Sequence, residues 1–190
     1  MIEKKYKNAL VLGRFQMLHK GHEEIINEAI NQAQNVLVFI GSSDKSNTLD
    51  NPFTYEKRCE MLKAVFDDKI IIKPLPDLGV GNVFKWGDYV IDNALKYLDS
   101  VNLIVEGIES KCELWFSDEI KKSLDFIKVD RSIIDISATK LREYLYNNEY
   151  TLWKNWVNPK LYKYYNELRL ELIKINTLPS KGKIILIDEE

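Results

Sequence analysis

Short apolar runs alternate along the chain with stretches whose apolar residues recur every three or four positions. Ala9 to Leu12, Val36 to Ile40, Ile70 to Lys73, Leu103 to Val105 and Phe126 to Val129 read as strands. Helical spacing covers 22–34, 54–66, 84–98 and 112–123, and in the first of these Ile25, Ile26, Ala29, Ile30 and Ala33 form one stripe. Apolar strands separated by helices predict an α/β fold, a doubly wound parallel sheet with right-handed crossovers. Ser137 is placed to cap a further helix through Tyr146. Beyond Trp153 and Trp156, the span from Pro159 to Ile173 carries Leu161, Tyr164, Tyr165, Leu168 and Leu172 on one face, a C-terminal helical extension. The expected division is therefore an α/β domain over 1–157 and a helix with a tail over 158–190, which packs on that domain or on an oligomer partner. Pro179 to Glu190 reads either as an added edge strand or as a frayed tail.

Ligands in such sheets bind outside the carboxyl ends of the strands. The first strand leads into Gly13-Arg14-Phe15-Gln16, then into His19-Lys20-Gly21-His22, which contains both histidines of the chain. His22 falls in or beside the first turn of a helix, where backbone N–H groups and the macrodipole favour an anion. Gly21 allows close approach to the backbone. Imidazoles donate to phosphate oxygens and stabilise charge that builds during phosphoryl or nucleotidyl transfer, and Arg14 adds a bidentate fork. The competing reading is a zinc site, but only Cys59 and Cys112 could join the histidines and they stand alone, so no metal site is expected. At the other end of the strand–helix chain, Ser137, Thr139 and Arg142 open a helix with two hydroxyls and a guanidinium, a set that can hold the β and γ phosphates of a nucleotide.

G-R-F-Q-x-x-H-x-G-H followed by I-S-x-T-x-x-R resembles the signature pair of the H-x-G-H nucleotidyltransferase superfamily. Gly41-Ser42, Ser46-Asn47-Thr48 and Asn51-Pro52-Phe53-Thr54 with Arg58 are similar to a segment of nicotinamide mononucleotide (NMN) adenylyltransferases of the archaeal type. The same segment occurs in the N-terminal half of bacterial enzymes that fuse this activity to a Nudix hydrolase. The resemblance covers roughly residues 8 to 157 and implies a Rossmann-like nucleotidyltransferase fold. It implies ATP contacts from Gly13, Arg14, Phe15, Gln16, His19, Gly21, His22, Glu106, Gly107, Ser137, Thr139 and Arg142. It also implies NMN contacts from Ser42, Asn51, Arg58, Asn82 and Trp86, with Trp86 stacked on the cationic pyridinium ring and Asn82 on the carboxamide. For Trp86 the plainer alternative is packing of a helix on the sheet.

In the implied reaction the 5′-phosphate of NMN attacks the α-phosphorus of ATP in line and pyrophosphate leaves. The attacking phosphate is already an anion, so positioning and charge stabilisation suffice. His19, His22, Arg14 and Arg142 are the expected catalytic set, Arg58 is expected to orient the NMN phosphate, and Mg2+ is expected to arrive on the ATP phosphates. The chain departs from the family at Met17, where proline is usual, at Asn47, where histidine is usual, and at Lys57, where glutamate is usual. No Nudix box is present, so the second activity of the fused enzymes is not expected from this chain. Two alternatives stay open: a sister transferase acting on phosphopantetheine, flavin mononucleotide or a cytidylyl acceptor, and a nonenzymatic nucleotide sensor.

Composition narrows the surroundings of this chemistry. At 190 residues with 45% apolar and 29% charged content, the chain can bury an ample core. A net charge of -2 argues against broad capture of nucleic acid. Two separate cysteines fit a reducing cytoplasm, and no apolar run reaches transmembrane length, so neither a membrane nor a nucleic-acid partner is expected.

Overall fold

A computed structural model describes residues 4–79, 83–132, 134 and 136–177. The apolar runs form five parallel strands, β1 (Tyr6–Gly13), β2 (Ala33–Gly41), β3 (Ile71–Leu75), β4 (Leu103–Gly107) and β5 (Asp125–Val129), in the order β3-β2-β1-β4-β5. The helices are α1 (Lys20–Gln32), α2 (Tyr55–Phe66), α3 (Val83–Ala94), α4 (Asp118–Lys121), α5 (Ala138–Tyr146), α6 (Tyr150–Lys154) and α7 (Tyr165–Thr177). The order reverses between β1 and β4, so the crevice beyond their carboxyl ends is the topological switch point where this class binds ligands.

Two apolar layers cover the sheet. On one face Val11, Val38, Ile40 and Val105 pack with Ile26 and Ala29 of α1 and Leu62 of α2. On the other, Leu10, Leu37, Phe39 and Ile104 pack with Val90 and Ala94 of α3 and with Phe116. Trp153, Leu161, Tyr164, Tyr165, Leu168 and Leu172 are buried in the first layer, so the aromatic C-terminal face turns toward the sheet domain.

Several boundaries differ from the hydrophobic pattern. Ala33, apolar and in helical register, is the first residue of β2 and pairs with Tyr6. The expected helix over 112–123 is a 3-10 turn at Cys112–Trp115 and then α4, capped by the Ser117 hydroxyl, which accepts from the Ile120 N–H. The C-terminal helix opens with a 3-10 turn at Pro159–Tyr164 before α7 begins. Pro179 to Glu190 lies outside the described residues.

The three family departures have local accounts. Buried Met17 accepts at Sδ from the Trp153 indole N–H at 3.3 Å, joining the β1–α1 loop to α6. Asn47 sits at φ 58°, a left-handed conformation that asparagine tolerates. Lys57 pairs with Glu60 at 2.6 Å and with Glu167 at 2.7 Å, linking α2 to α7. Among the described residues no helix is long and apolar enough to cross a membrane.

Candidate active site

The loop between β1 and α1 ends in His19, which caps the helix. Its Nδ1 accepts from the Gly21 N–H at 3.1 Å, so the ring proton resides on Nε2. His22 follows in the first turn with its ring centroid 3.8 Å from that of His19, and Phe15, held at φ 50°, packs against it at 5.0 Å. Burial and the nearby Arg131 guanidinium push His19 down from 6.5 to about 4. Burial, the His19 ring and Arg131 hold His22 well below its ordinary value, and its Nδ1 is buried without a hydrogen-bond partner. Two neutral imidazoles therefore wait where a polyanion would bring them protons.

The helix terminus itself works differently from the sequence expectation of free backbone donors. The Lys20 N–H donates to the Trp156 carbonyl at 2.9 Å, the Gly21 N–H to His19 Nδ1, and the His22 and Glu23 N–H groups to the His19 carbonyl at 2.8 and 3.1 Å. All four early N–H groups are satisfied within the chain, which leaves the macrodipole and the side chains to attract a phosphate.

The second cluster closes onto the first. Ser137 caps α5, accepting from the Lys140 N–H at 3.1 Å. Arg142 donates to the Thr139 hydroxyl at 3.3 Å and to the Gln16 carbonyl, bringing α5 onto the β1–α1 loop. Burial and the Arg14 guanidinium both lower the Arg142 pKa, the signature of two cations crowded into one site. Gln16 clamps the next segment from the other side: its amide accepts from the Phe53 N–H at 2.9 Å and donates to the Phe53 carbonyl at 3.0 Å. Gly13 ends β1 directly below this loop.

Arg58 requires a correction. Its side chain was expected to orient the NMN phosphate, yet it is fully buried, and its guanidinium donates to the carbonyls of Thr54 (3.2 Å), Arg14 (3.0 Å), Gly41 (2.8 Å), Ser42 (3.1 Å) and Lys45 (3.4 Å). Every N–H of the fork is committed to backbone. Arg58 ties the β1–α1 loop to the β2–α2 loop instead of presenting charge to a ligand.

The remaining candidates line the same edge of the sheet. Ser42, at φ 46°, donates its hydroxyl to Asp77 at 3.0 Å, and Asp77 pairs with Lys45 at 2.5 Å. Asn51 donates its backbone N–H to the Thr48 hydroxyl at 3.0 Å and leaves Oδ1 buried and unpartnered. Trp86, half-buried on the first turn of α3, packs against Tyr89 at 5.5 Å and edge-on to Trp115 at 6.2 Å. Asn82 lies outside the described residues. Glu106, next to Gly107 at the end of β4, is buried, accepts from the Cys112 N–H at 3.2 Å and stands 4.0 Å from Lys128, so it braces the following turn. Among the described residues no group of three or more His, Cys, Asp or Glu side chains is arranged to hold a metal.

One functional candidate escaped the motif reading. Arg131, in the loop after β5, places Nη1 only 2.9 Å from where a Cβ on Gly21 would stand. The signal that could have found it is position: a basic residue just past the carboxyl end of β5, the strand paired with β4 of the switch point.

The cytidylyltransferase-like family model matches residues 10–144. A nicotinamide-nucleotide adenylyltransferase of Pyrococcus furiosus is 30% identical over 170 residues, 86% of this chain and 85% of its own. One from Aeropyrum pernix is 28% identical over 173 residues, 86% of this chain and 93% of its own. Among solved structures, a bifunctional NMN adenylyltransferase/ADP ribose pyrophosphatase of Francisella tularensis, complexed with AMP and a Mn ion, superposes with a TM-score of 0.70 at 26% identity; the match covers 90% of this chain and 53% of that protein. The chain belongs to the cytidylyltransferase-like family, and relatives that match most of its length include nicotinamide-nucleotide adenylyltransferases of Aeropyrum pernix and Pyrococcus furiosus.

Proposed function

We propose that the chain transfers the adenylyl group of ATP to NMN, giving NAD and pyrophosphate. The observation that carries this reading is the convergence of two neutral imidazoles, Arg142 and Arg131 at the switch point, in a family whose long-range relatives bear that name. The polyphosphate would lie across the first turn of α1. As negative charge grows on the leaving pyrophosphate, the imidazoles take up positive character, the Nε2–H of His19 donates to an oxygen, and Arg14 and Arg142 hold the chain of phosphates in line. Ser137 and Thr139 support Arg142 from the start of α5, and Trp86 offers a ring face to the pyridinium.

The donor set around the imidazoles is neutral or cationic, which suits a divalent ion carried by ATP through its own oxygens; the Mn ion in the Francisella protein supports divalent metal use, and Mg2+ is our choice. When bound, such an ion screens the triphosphate charge and leaves the side chains to orient the α-phosphorus. Cys59 and Cys112 are both free, which supports a reducing cytoplasm as the location. A homo-oligomer remains our proposal for the assembly, to be read by sedimentation.

The test is pyrophosphate release with ATP and Mg2+ against NMN, its acid form, phosphopantetheine and flavin mononucleotide, with His22→Ala as control. Turnover confined to the pyridine mononucleotides and lost in the variant is the expected result. Turnover with another acceptor overturns the substrate, and ATP binding without turnover favours a sensor.

A further inference from the structure

Arg131 and Glu109 form an ion pair that none of the substrate motifs accounts for. Arg131 leaves the carboxyl end of β5 and Glu109 stands in the turn after β4, so each sits beside the switch-point crevice. The arginine end of the pair is well packed, with its side chain 20% exposed, whereas the glutamate is 57% exposed. The guanidinium lies over the first turn of α1, with Nη1 in the space that any side chain at position 21 would need. It is close enough to both imidazoles to depress them. Its Nε is buried without a hydrogen-bond partner.

This arrangement is unlike a structural staple. A staple would face its fork toward the chain, as Arg58 does with five backbone carbonyls. Arg131 instead pairs with one exposed carboxylate at the rim and sits beside the two histidines over Gly21. A carboxylate and a phosphate offer a guanidinium the same chemistry, paired anionic oxygens in one plane. Because the early N–H groups of α1 are already satisfied, a phosphate chain entering over Gly21 must find its donors among side chains, and the Arg131 fork is the side chain over that turn.

We infer that Arg131 binds the polyphosphate of the nucleotide and that Glu109 is its resident counter-ion, released when phosphate oxygens take its place. The pair is an exchangeable salt bridge: with no nucleotide bound it spares the crevice an unpaired cation, and with nucleotide bound the carboxylate swings to solvent at the rim. The inference rests on ATP as the nucleotide and is independent of the acceptor.

The test is equilibrium binding of ATP, and separately of inorganic triphosphate, by calorimetry at low and at physiological salt, without NMN. Arg131→Ala is expected to weaken both ligands by tenfold or more, the loss of a charge-assisted contact, and Arg131→Lys to recover part of that affinity. Glu109→Gln is expected to tighten both by about threefold to tenfold at low salt, because the competing anion is gone. In the double variant Arg131→Ala/Glu109→Gln the gain should vanish, since no cation is left to free. Thermal melting of each variant checks that it is folded. A staple predicts the opposite for Glu109→Gln, unchanged or weaker binding together with a lower melting temperature, and that result overturns the assignment, as does unchanged ATP binding in a folded Arg131→Ala. A chain that binds ATP in this pattern yet turns over no NMN would overturn the proposed acceptor and leave the salt bridge standing.

Discussion

Replacing Arg58 separates two roles that the sequence alone cannot tell apart. Arg58→Ala removes a fully buried guanidinium and its N–H donors to five backbone carbonyls at 2.8 to 3.4 Å, of which those of Thr54 and Ser42 keep a backbone N–H donor. A hydrogen bond from a charged donor contributes about 1.5–3 kcal/mol net. Only the three shortest contacts deserve that range, and water entering the vacated space recovers part of it, so the expected loss is about 4 kcal/mol. For a domain of this size that lowers the melting temperature by roughly 10 °C. Because the fork joins the Arg14 carbonyl to those of Gly41, Ser42 and Lys45, both substrate loops should loosen together. KM should rise for ATP and for NMN alike, and Arg58→Lys, with a single ammonium, should restore stability only in part. Differential scanning calorimetry and initial-rate kinetics on the two variants decide the matter. A variant with an unchanged melting temperature and a KM raised for NMN alone would refute this reasoning and return Arg58 to the mononucleotide phosphate.

Other consequences are as direct. His19 is held at about 4 against an ordinary 6.5, so the unfolded chain takes up its proton first as pH falls. The stability tied to that neutral ring is present above about pH 6.5 and lost toward pH 4, at most about 3 kcal/mol; melting between pH 8 and 5 should show the slope, and His19→Asn, which still caps α1, should make it shallower while the share from the still-depressed His22 stays. Trp86→Ala should raise KM for NMN by roughly fivefold to thirtyfold while leaving ATP binding unchanged, the worth of one stacked cation by steady-state kinetics; an equal effect on both substrates would mean that Trp86 only packs α3. Gly87→Ala should destabilise by about 2–3 kcal/mol in urea unfolding, since its Cβ would stand 2.0 Å from the Trp115 carbonyl oxygen; a neutral substitution would show that α3 and the Trp115 turn do not touch as described.

How far the sequence reveals this molecule depends on where each signal lives. The strands announce themselves because the parallel sheet is buried on both faces and reads as apolar runs. Their ends do not: β1 begins in the polar Tyr6-Lys7-Asn8, and Asn8 is buried only because its amide donates to Asp99 and to Ser100 and its oxygen accepts from Asn35. That network draws on three separate segments, which a local window cannot see. The imidazoles and Arg142 are readable because capping and spacing are local properties. Arg58 and Arg131 are not, since a guanidinium among carbonyls and one facing a ligand look alike in a one-dimensional string. The partners of both, the Gly41 carbonyl for Arg58 and Glu109 for Arg131, lie on distant loops.

Under the proposed function, those contacts would make the crevice discriminate among anions. If the first turn of α1 presented bare N–H groups, any small anion would be attracted there. Here its early donors are satisfied by Trp156 and His19, its imidazoles are held neutral by burial, and the Arg131 fork is already paired with Glu109. An entering ligand gains little from any single contact, because each donor must be released from a partner or charged by a proton. A small anion can offset only one of these changes. Under the proposed binding mode a triphosphate would engage several of them at once, so the compensated resting state would favour a long polyanion over a short one.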